Sequence, residues 1–153
     1  MTQMDVKDAS GSTHHFATQI LASLETAGLF LRALPEGGAA PYRNLDLGNT
    51  GALVKAAPGT LYAFTLSNND ETGSPPVGSA DIFVKFYDKV STPSASDTPV
   101  LTIKVPAGQT LAQSFPVGIA FLVGIGVRAT LLVGDSDTSN PPTNGMVCNL
   151  LYA

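Results

Sequence analysis

The feature that most limits the folds open to this chain is the spacing of its turn residues after Gly51. Short apolar or alternating runs are closed, one after another, by Ala57-Pro58-Gly59, by Asn68 to Ser79, by Val90 to Pro99, by Pro106-Ala107-Gly108 and by Gly134 to Gly145. These clusters are rich in Gly, Pro, Asn, Asp and Ser, whose backbone preferences favour a turn over continued pairing. A helix needs a longer uninterrupted window, and none is left. Regular short runs between turns predict an all-β fold, an antiparallel sandwich or barrel. The expected strands are Ala52 to Ala56, Leu61 to Ser67, Ala80 to Tyr87, Val100 to Val105, Leu111 to Phe115, Gly118 to Phe121, Gly126 to Val133 and Met146 to Tyr152.

Alternation within the runs assigns faces, because successive side chains on a strand point to opposite sides. Tyr62, Phe64 and Leu66 fall on one face, as do Ile82, Val84 and Phe86, and Leu101, Ile103 and Val105. These sets are expected in the core. Phe83, Lys85 and Tyr87, and Thr102 with Lys104, are expected toward solvent. Gly126 to Val133 is apolar on both faces near its end, which predicts a strand covered on both sides.

The first fifty residues differ in character. Asp8 to Ser12 is a polar cluster, and Leu34 to Gly38 and Gly48 to Gly51 are turns. Thr18 to Ala27 is the only helical candidate. The apolar stretches around it do not make a core unaided, so Phe16, Ile20, Leu21, Leu24, Leu29, Phe30 and Leu31 are candidates for a partner-binding arm. The expected division is an arm or accessory strands over 1–50 and a sandwich over 51–153.

Composition narrows the function. Apolar residues make up 44% of the 153 and charged residues only 13%, too apolar for a disordered chain and short of charge for a well-solvated monomer. A surface partly covered by neighbours fits that balance. The formal charge is −4, and the eight basic residues are scattered, whereas phosphate binding needs them clustered. Nucleic acid is not an expected partner. No apolar run is long enough to span a membrane, and Met1 to Ser10 lacks the basic start and apolar run of a signal peptide. A soluble protein made in a cytoplasm is expected.

The candidate chemistry is thin. His14 and His15 are adjacent, so on a strand they point apart and cannot readily chelate one metal. Asp135 to Asn140 offers oxygen ligands at alternating positions, but lacks the bidentate Glu and fixed Gly of an EF-hand loop. A polar loop is the plainer reading, and the same holds for Asn69-Asp70-Glu71. Cys148 sits in an apolar strand as a small hydrophobe. There is no Gly-x-Ser-x-Gly, and the glycines of Gly118 to Gly126 precede neither Lys-Ser, Lys-Thr nor a helix. Nothing singles out a carboxylate pair among twelve acids. No enzyme activity, cofactor or metal is expected. Tyr42, Tyr62, Tyr87 and Tyr152 could form a sugar platform, although most sit in strand patterns as half-buried core.

A succession of short segments carries a resemblance. It runs Gly59-Thr60-Leu61-Tyr62, Val84 to Lys89, Thr98 to Leu101, Val105 to Gly108, Phe115 to Phe121, Gly124 to Thr130, and Val147 with Asn149 to Tyr152. In this order of strands and turns, about a hundred residues, the chain resembles small virion proteins of tailed bacteriophages. The resemblance implies a β-sandwich or jelly-roll-like module on the particle: a capsid decoration (cement) protein, or a neck or tail component. It implies no catalytic residues, and the first fifty residues lie outside it.

The expected function is therefore a non-enzymatic virion structural protein, assembled in the host cytoplasm, that bridges capsomers. Its expected partners are the major capsid protein or other virion proteins and itself, as a homotrimer. The rivals are a carbohydrate-binding module at a tail tip and, more remotely, a hydrolase with an unrecognised acid pair.

Overall fold

The computed structural model describes residues 5–7, 13–15, 38–69 and 80–153. The chain divides into two compact units, Met1–Leu34 and Pro35–Ala153. In the first, β1 (Asp5–Lys7) and β2 (Thr13–His15) form an antiparallel pair, with Asp5 opposite His15. The helical candidate Thr18 to Ala27 and the arm residues Phe16, Ile20, Leu21, Leu24, Leu29, Phe30 and Leu31 lie outside the described residues.

Among its described residues the second unit holds eight strands: β3 (Ala40–Asn44), β4 (Ala52–Lys55), β5 (Gly59–Asn68), β6 (Ile82–Asp88), β7 (Leu101–Val105), β8 (Thr110–Phe121), β9 (Ile125–Thr130) and β10 (Met146–Tyr152). They make two four-stranded sheets, ordered β3-β10-β5-β8 and β4-β9-β6-β7. Every neighbouring pair is antiparallel. No helix occurs among the described residues. The fold is all-β, as the turn spacing predicts.

One core joins the two sheets. Leu61, Phe64 and Leu66 of β5 and Met146, Cys148 and Leu150 of β10 meet Ile82, Val84 and Phe86 of β6 and Val127 and Ala129 of β9. The Phe64 and Phe86 ring centroids are 6.3 Å apart, and those of Phe64 and Phe115 are 5.9 Å apart. Such contacts remove apolar surface from water and interlock the sheets.

The structure corrects several expectations. The boundary at Gly51 falls inside the second unit: β3 pairs with β10, and Leu47 is a core residue at 1% exposure. A chain starting at Gly51 would therefore lack an edge strand and part of the core. On β5, Leu61 is buried in place of Tyr62, which is half-exposed. The cause is a shift of register between Leu61 and Ala63 against β8, which reverses the alternation at that point. Leu111 to Phe115 and Gly118 to Phe121 are one strand, not two. Phe115 to Gly118 bulge from the ladder, and β8 tolerates Pro116 because it is an edge strand.

At Gly118 the bulge requires φ +71°, and a Cβ there would stand 2.1 Å from Thr60 Cγ2. Only glycine fits without strain.

Strand β9 ends at Thr130 rather than Val133. Beyond it, side chains take up the backbone groups that a continuing ladder would use. Leu131 N–H donates to Ser139 Oγ (3.0 Å) and Leu132 N–H to Asp137 Oδ2 (2.9 Å).

Candidate functional site

Three features of the second unit could meet a partner: a buried polar layer holding a loop, a sheet face with a single charge, and a mostly apolar cleft. The polar layer overturns the largest sequence expectation. Lys85 and Tyr87 do not face solvent; they are 0% and 1% exposed, beside Arg128 at 1% and Thr130 at 0%. They lie on the face of β6 and β9 opposite the core, and chain from other loops covers them.

Arg128 holds that cover. Its Nε donates to Asn49 O (2.7 Å), Nη1 to Ser94 O (3.1 Å) and Tyr87 Oη (3.2 Å), and Nη2 to Asp137 O (2.9 Å). Lys85 Nζ donates to Gly134 O. Burial pushes the Lys85 ammonium below its usual pKa, with Asp137 opposing and Arg128 reinforcing the shift. Burial likewise raises the Tyr87 phenol, although Arg128 offsets part of this.

Asp137 organises the loop over this layer. It accepts from Ser139 N (3.1 Å), Ser139 Oγ and Leu132 N (2.9 Å). Burial alone would raise its pKa, but these donors and Lys85 outweigh it and hold the carboxyl at about 2. Asp137 N donates to Gly134 O (3.0 Å), and Asn49 N to Asn140 Oδ1 (2.8 Å). The segment 131–140 is thus tied at both ends and in its middle. At its tip Leu132 and Val133 are each 62% exposed.

The second feature is the outer face of β3-β10-β5-β8. Cross-strand register places Pro41, Leu151, Ala63 and Ser114 in one row and Arg43, Asn149, Thr65 and Ala112 in the next. A third row brings Ser67 beside Thr110, whose Oγ1 donates to Ser67 Oγ at 2.9 Å, and Val147. Arg43 is the one charged residue in these rows. A shallow depression of about 370 Å³ crosses the face at Pro41, Arg43, Thr65, Asn149 and Leu151.

The third feature opens where the sheet edges β7 and β8 part. Phe64, Leu101, Ile103, Leu111, Phe115 and Ile119, together with Thr110, Ala112 and Gln113, line a mostly apolar cleft of about 590 Å³. The large apolar members pack against the core from its edge, only partly covered except for Phe64.

No family model, curated protein or solved structure matches the chain.

The other sequence candidates are placed as follows. His14 and His15 are consecutive in β2. Among the described residues, no group of three or more His, Cys, Asp or Glu is placed to hold a metal ion. In the Asp135 to Asn140 loop, the Asp137 oxygens are engaged by the loop's own donors. Cys148 is buried in β10, and burial pushes its thiol up to about 12, far from a reactive thiolate. Tyr87 is buried, and Tyr42, Tyr62 and Tyr152 are half-buried on different strands. Of Asn69-Asp70-Glu71, only Asn69 lies within the described residues.

Alternation alone could not find the buried layer. A faint signal was present: Lys85 stands between Val84 and Phe86, and Arg128 between Val127 and Ala129, each within an otherwise apolar strand.

Proposed function

We propose that the chain is a non-enzymatic, self-assembling structural protein of a tailed-phage virion, a capsid decoration (cement) protein that binds across capsomers as a homotrimer. The observation that carries this reading is the outer face of β3-β10-β5-β8. A solvated sheet face ordinarily carries long charged side chains. Here small, uncharged residues and a single Arg43 make a surface that a flat neighbour can cover without desolvating many ions.

Strand order adds support for a jelly roll. Counted from β3 as the first of eight, the sheets run first-eighth-third-sixth and second-seventh-fourth-fifth. That order is what results when a long antiparallel hairpin wraps into two Greek keys, an architecture shared by many capsid and lectin domains. Fold alone does not name a function. The phage assignment rests on the segment order from Gly59 to Tyr152 described above.

The test is the particle itself. Mass spectrometry of purified virions should recover the chain in stoichiometric amounts, and cryo-electron microscopy should place it between capsomers. Density at the neck or tail would move it there. Absence from the particle inventory would remove the virion reading altogether.

A further inference from the structure

The turn that leads into β10 carries a reactive pair of residues. Pro142 to Gly145 reverse the chain, and Gly145 N donates to Pro142 O (2.8 Å) to close the turn. Its third residue, Asn144, has φ +57° and is the one non-glycine residue in the left-handed region among those described. Asn enters that region more readily than most side chains, and a positive φ at the third position is the mark of a type II turn. The fourth position excludes a side chain for a separate reason. A Cβ on Gly145 would stand 2.8 Å from Pro142 O. Two independent demands of the backbone thus set Asn directly before Gly.

That pair has a chemistry of its own, since Asn is among the heat-labile residues and a following Gly hinders attack on it least. The Gly145 nitrogen gives its proton to solvent and bonds to Asn144 Cγ, closing a five-membered succinimide. The bond from Cγ to Nδ2 breaks, and that nitrogen takes a proton from solvent and leaves as ammonia. Water then opens the ring. Addition at the side-chain carbonyl gives Asp. Addition at the backbone carbonyl gives an isoaspartyl link, in which the main chain runs through the side chain and gains a methylene.

In the folded chain the nucleophile is held back. Its proton is engaged by Pro142 O, and Gly145 is buried although Asn144 is exposed. Asn144 N donates to Asp46 Oδ1 (2.7 Å) and Asn69 N to Gly145 O (2.8 Å). These last two ties come from distant parts of the chain, so they exist only once β10 has docked. Reaction then requires a local opening. After it, the added methylene breaks the spacing from Pro142 to Gly145, and a new carboxylate stands near Asp46, a like charge. Met146, the next residue, opens the β10 ladder opposite Asn68.

We propose that Asn144 is a site of spontaneous deamidation and isoaspartyl formation, suppressed by folding, and that a chain modified there while unfolded cannot close the turn into β10. This is independent of the virion reading.

The experiment incubates the full-length chain at mildly alkaline pH, folded and in guanidinium chloride, and follows the peptide spanning Asn144 by liquid chromatography and mass spectrometry. The unfolded chain should convert to Asp and isoaspartyl forms, and the folded chain at least about ten-fold more slowly, because only its opened state reacts. Asp46→Ala removes one tie without touching the reacting atoms and should speed conversion of the folded chain. Asn144→Gly keeps the left-handed backbone but has no side-chain amide; it should fold and stay unmodified at this position. When the aged chain is returned to buffer, the isoaspartyl form should be depleted from the refolded fraction, while Asn144→Gly aged alike should refold in full. An intact Asn144 in the unfolded chain would overturn the site. Equal rates in the folded and unfolded chains would overturn its suppression by folding, and a refolded fraction holding the isoaspartyl form in full proportion would overturn its effect on β10.

Discussion

Lys85 and Arg128 are direct cross-strand partners on β6 and β9, two cations side by side on a face from which water is excluded. Like charges opposite one another repel, and burying each is costly. Backbone carbonyls of Asn49, Ser94, Gly134 and Asp137 compensate. The pair therefore acts as a clamp on three separate stretches of chain, around Asn49, Ser94 and the 134–137 loop, rather than as one half of a salt bridge.

The two members should differ in weight. Arg128→Met leaves three carbonyls and the Tyr87 hydroxyl without their donor, and should cost about 3 kcal/mol. Lys85→Met also relieves repulsion and should cost no more than about 1 kcal/mol, the loss at Gly134 O being offset. Urea unfolding of the two variants checks the ranking.

Cys148 predicts an alkaline limb. Its folded pKa, about 12, lies above the reference 9.0, so the unfolded chain loses its proton first as pH rises. Stability is then fully present below pH 9 and falls between 9 and 12, by at most about 1.4 kcal/mol per pH unit. Cys148→Ala should lower stability near neutrality yet flatten this limb. Unfolding free energies measured at pH 8 and about pH 10 would show it.

An acid limb should mirror it. Asp97 is held at about 2, first by Lys89 at 2.6 Å and then by Ser94, and Asp137 is also at about 2. For a lowered carboxyl, the contribution is present above the reference value of 3.8 and is lost as pH falls toward 2. Asp137→Asn should shift the acid-unfolding midpoint upward more than Asp97→Asn, whose ion pair is about a quarter exposed and screened. An acid titration followed by circular dichroism reads both.

Gly118→Ala should destabilise by about 2 kcal/mol, combining a left-handed backbone with the collision at Thr60. Adding Thr60→Ser removes the colliding methyl and should recover part of the loss, leaving the backbone share. Thermal unfolding of the single and double variants separates the two.

Thr65→Glu on the outer sheet face should leave monomer stability within about 0.5 kcal/mol, since surface changes away from special features are mild. On the proposed decoration role it should nonetheless abolish attachment to particles, and a variant that still co-sediments with them would count against that role.

What the sequence made legible is what alternation controls. Ile82, Val84 and Phe86 are in the core, as are Phe64, Leu66 and Val105. Tyr62 was misplaced because a bulge shifts the register where no local residue announces it. Lys85 and Tyr87 were misplaced because their cover comes from residues 94 and 134–137, and a strand pattern does not contain its own lid. Pro41 and Arg43 broke the apolar run that would have marked β3. The sparsely charged outer face and the β7/β8 cleft depend on strand order, which periodicity does not encode.

Strand β10 lies between β3 and β5, although about eighty residues separate it from the nearer of these neighbours. Neither β3 nor β5 can complete its pairing until Met146–Tyr152 has left the ribosome. The sheet carrying Arg43 is therefore completed only when β10 emerges, and closing so long a loop makes folding slow. Until then β5 stays an open edge that could pair with a neighbouring nascent chain. The chain is thus exposed to misassembly until β10 emerges, and slower translation of the segment between β5 and β10 would lengthen that interval.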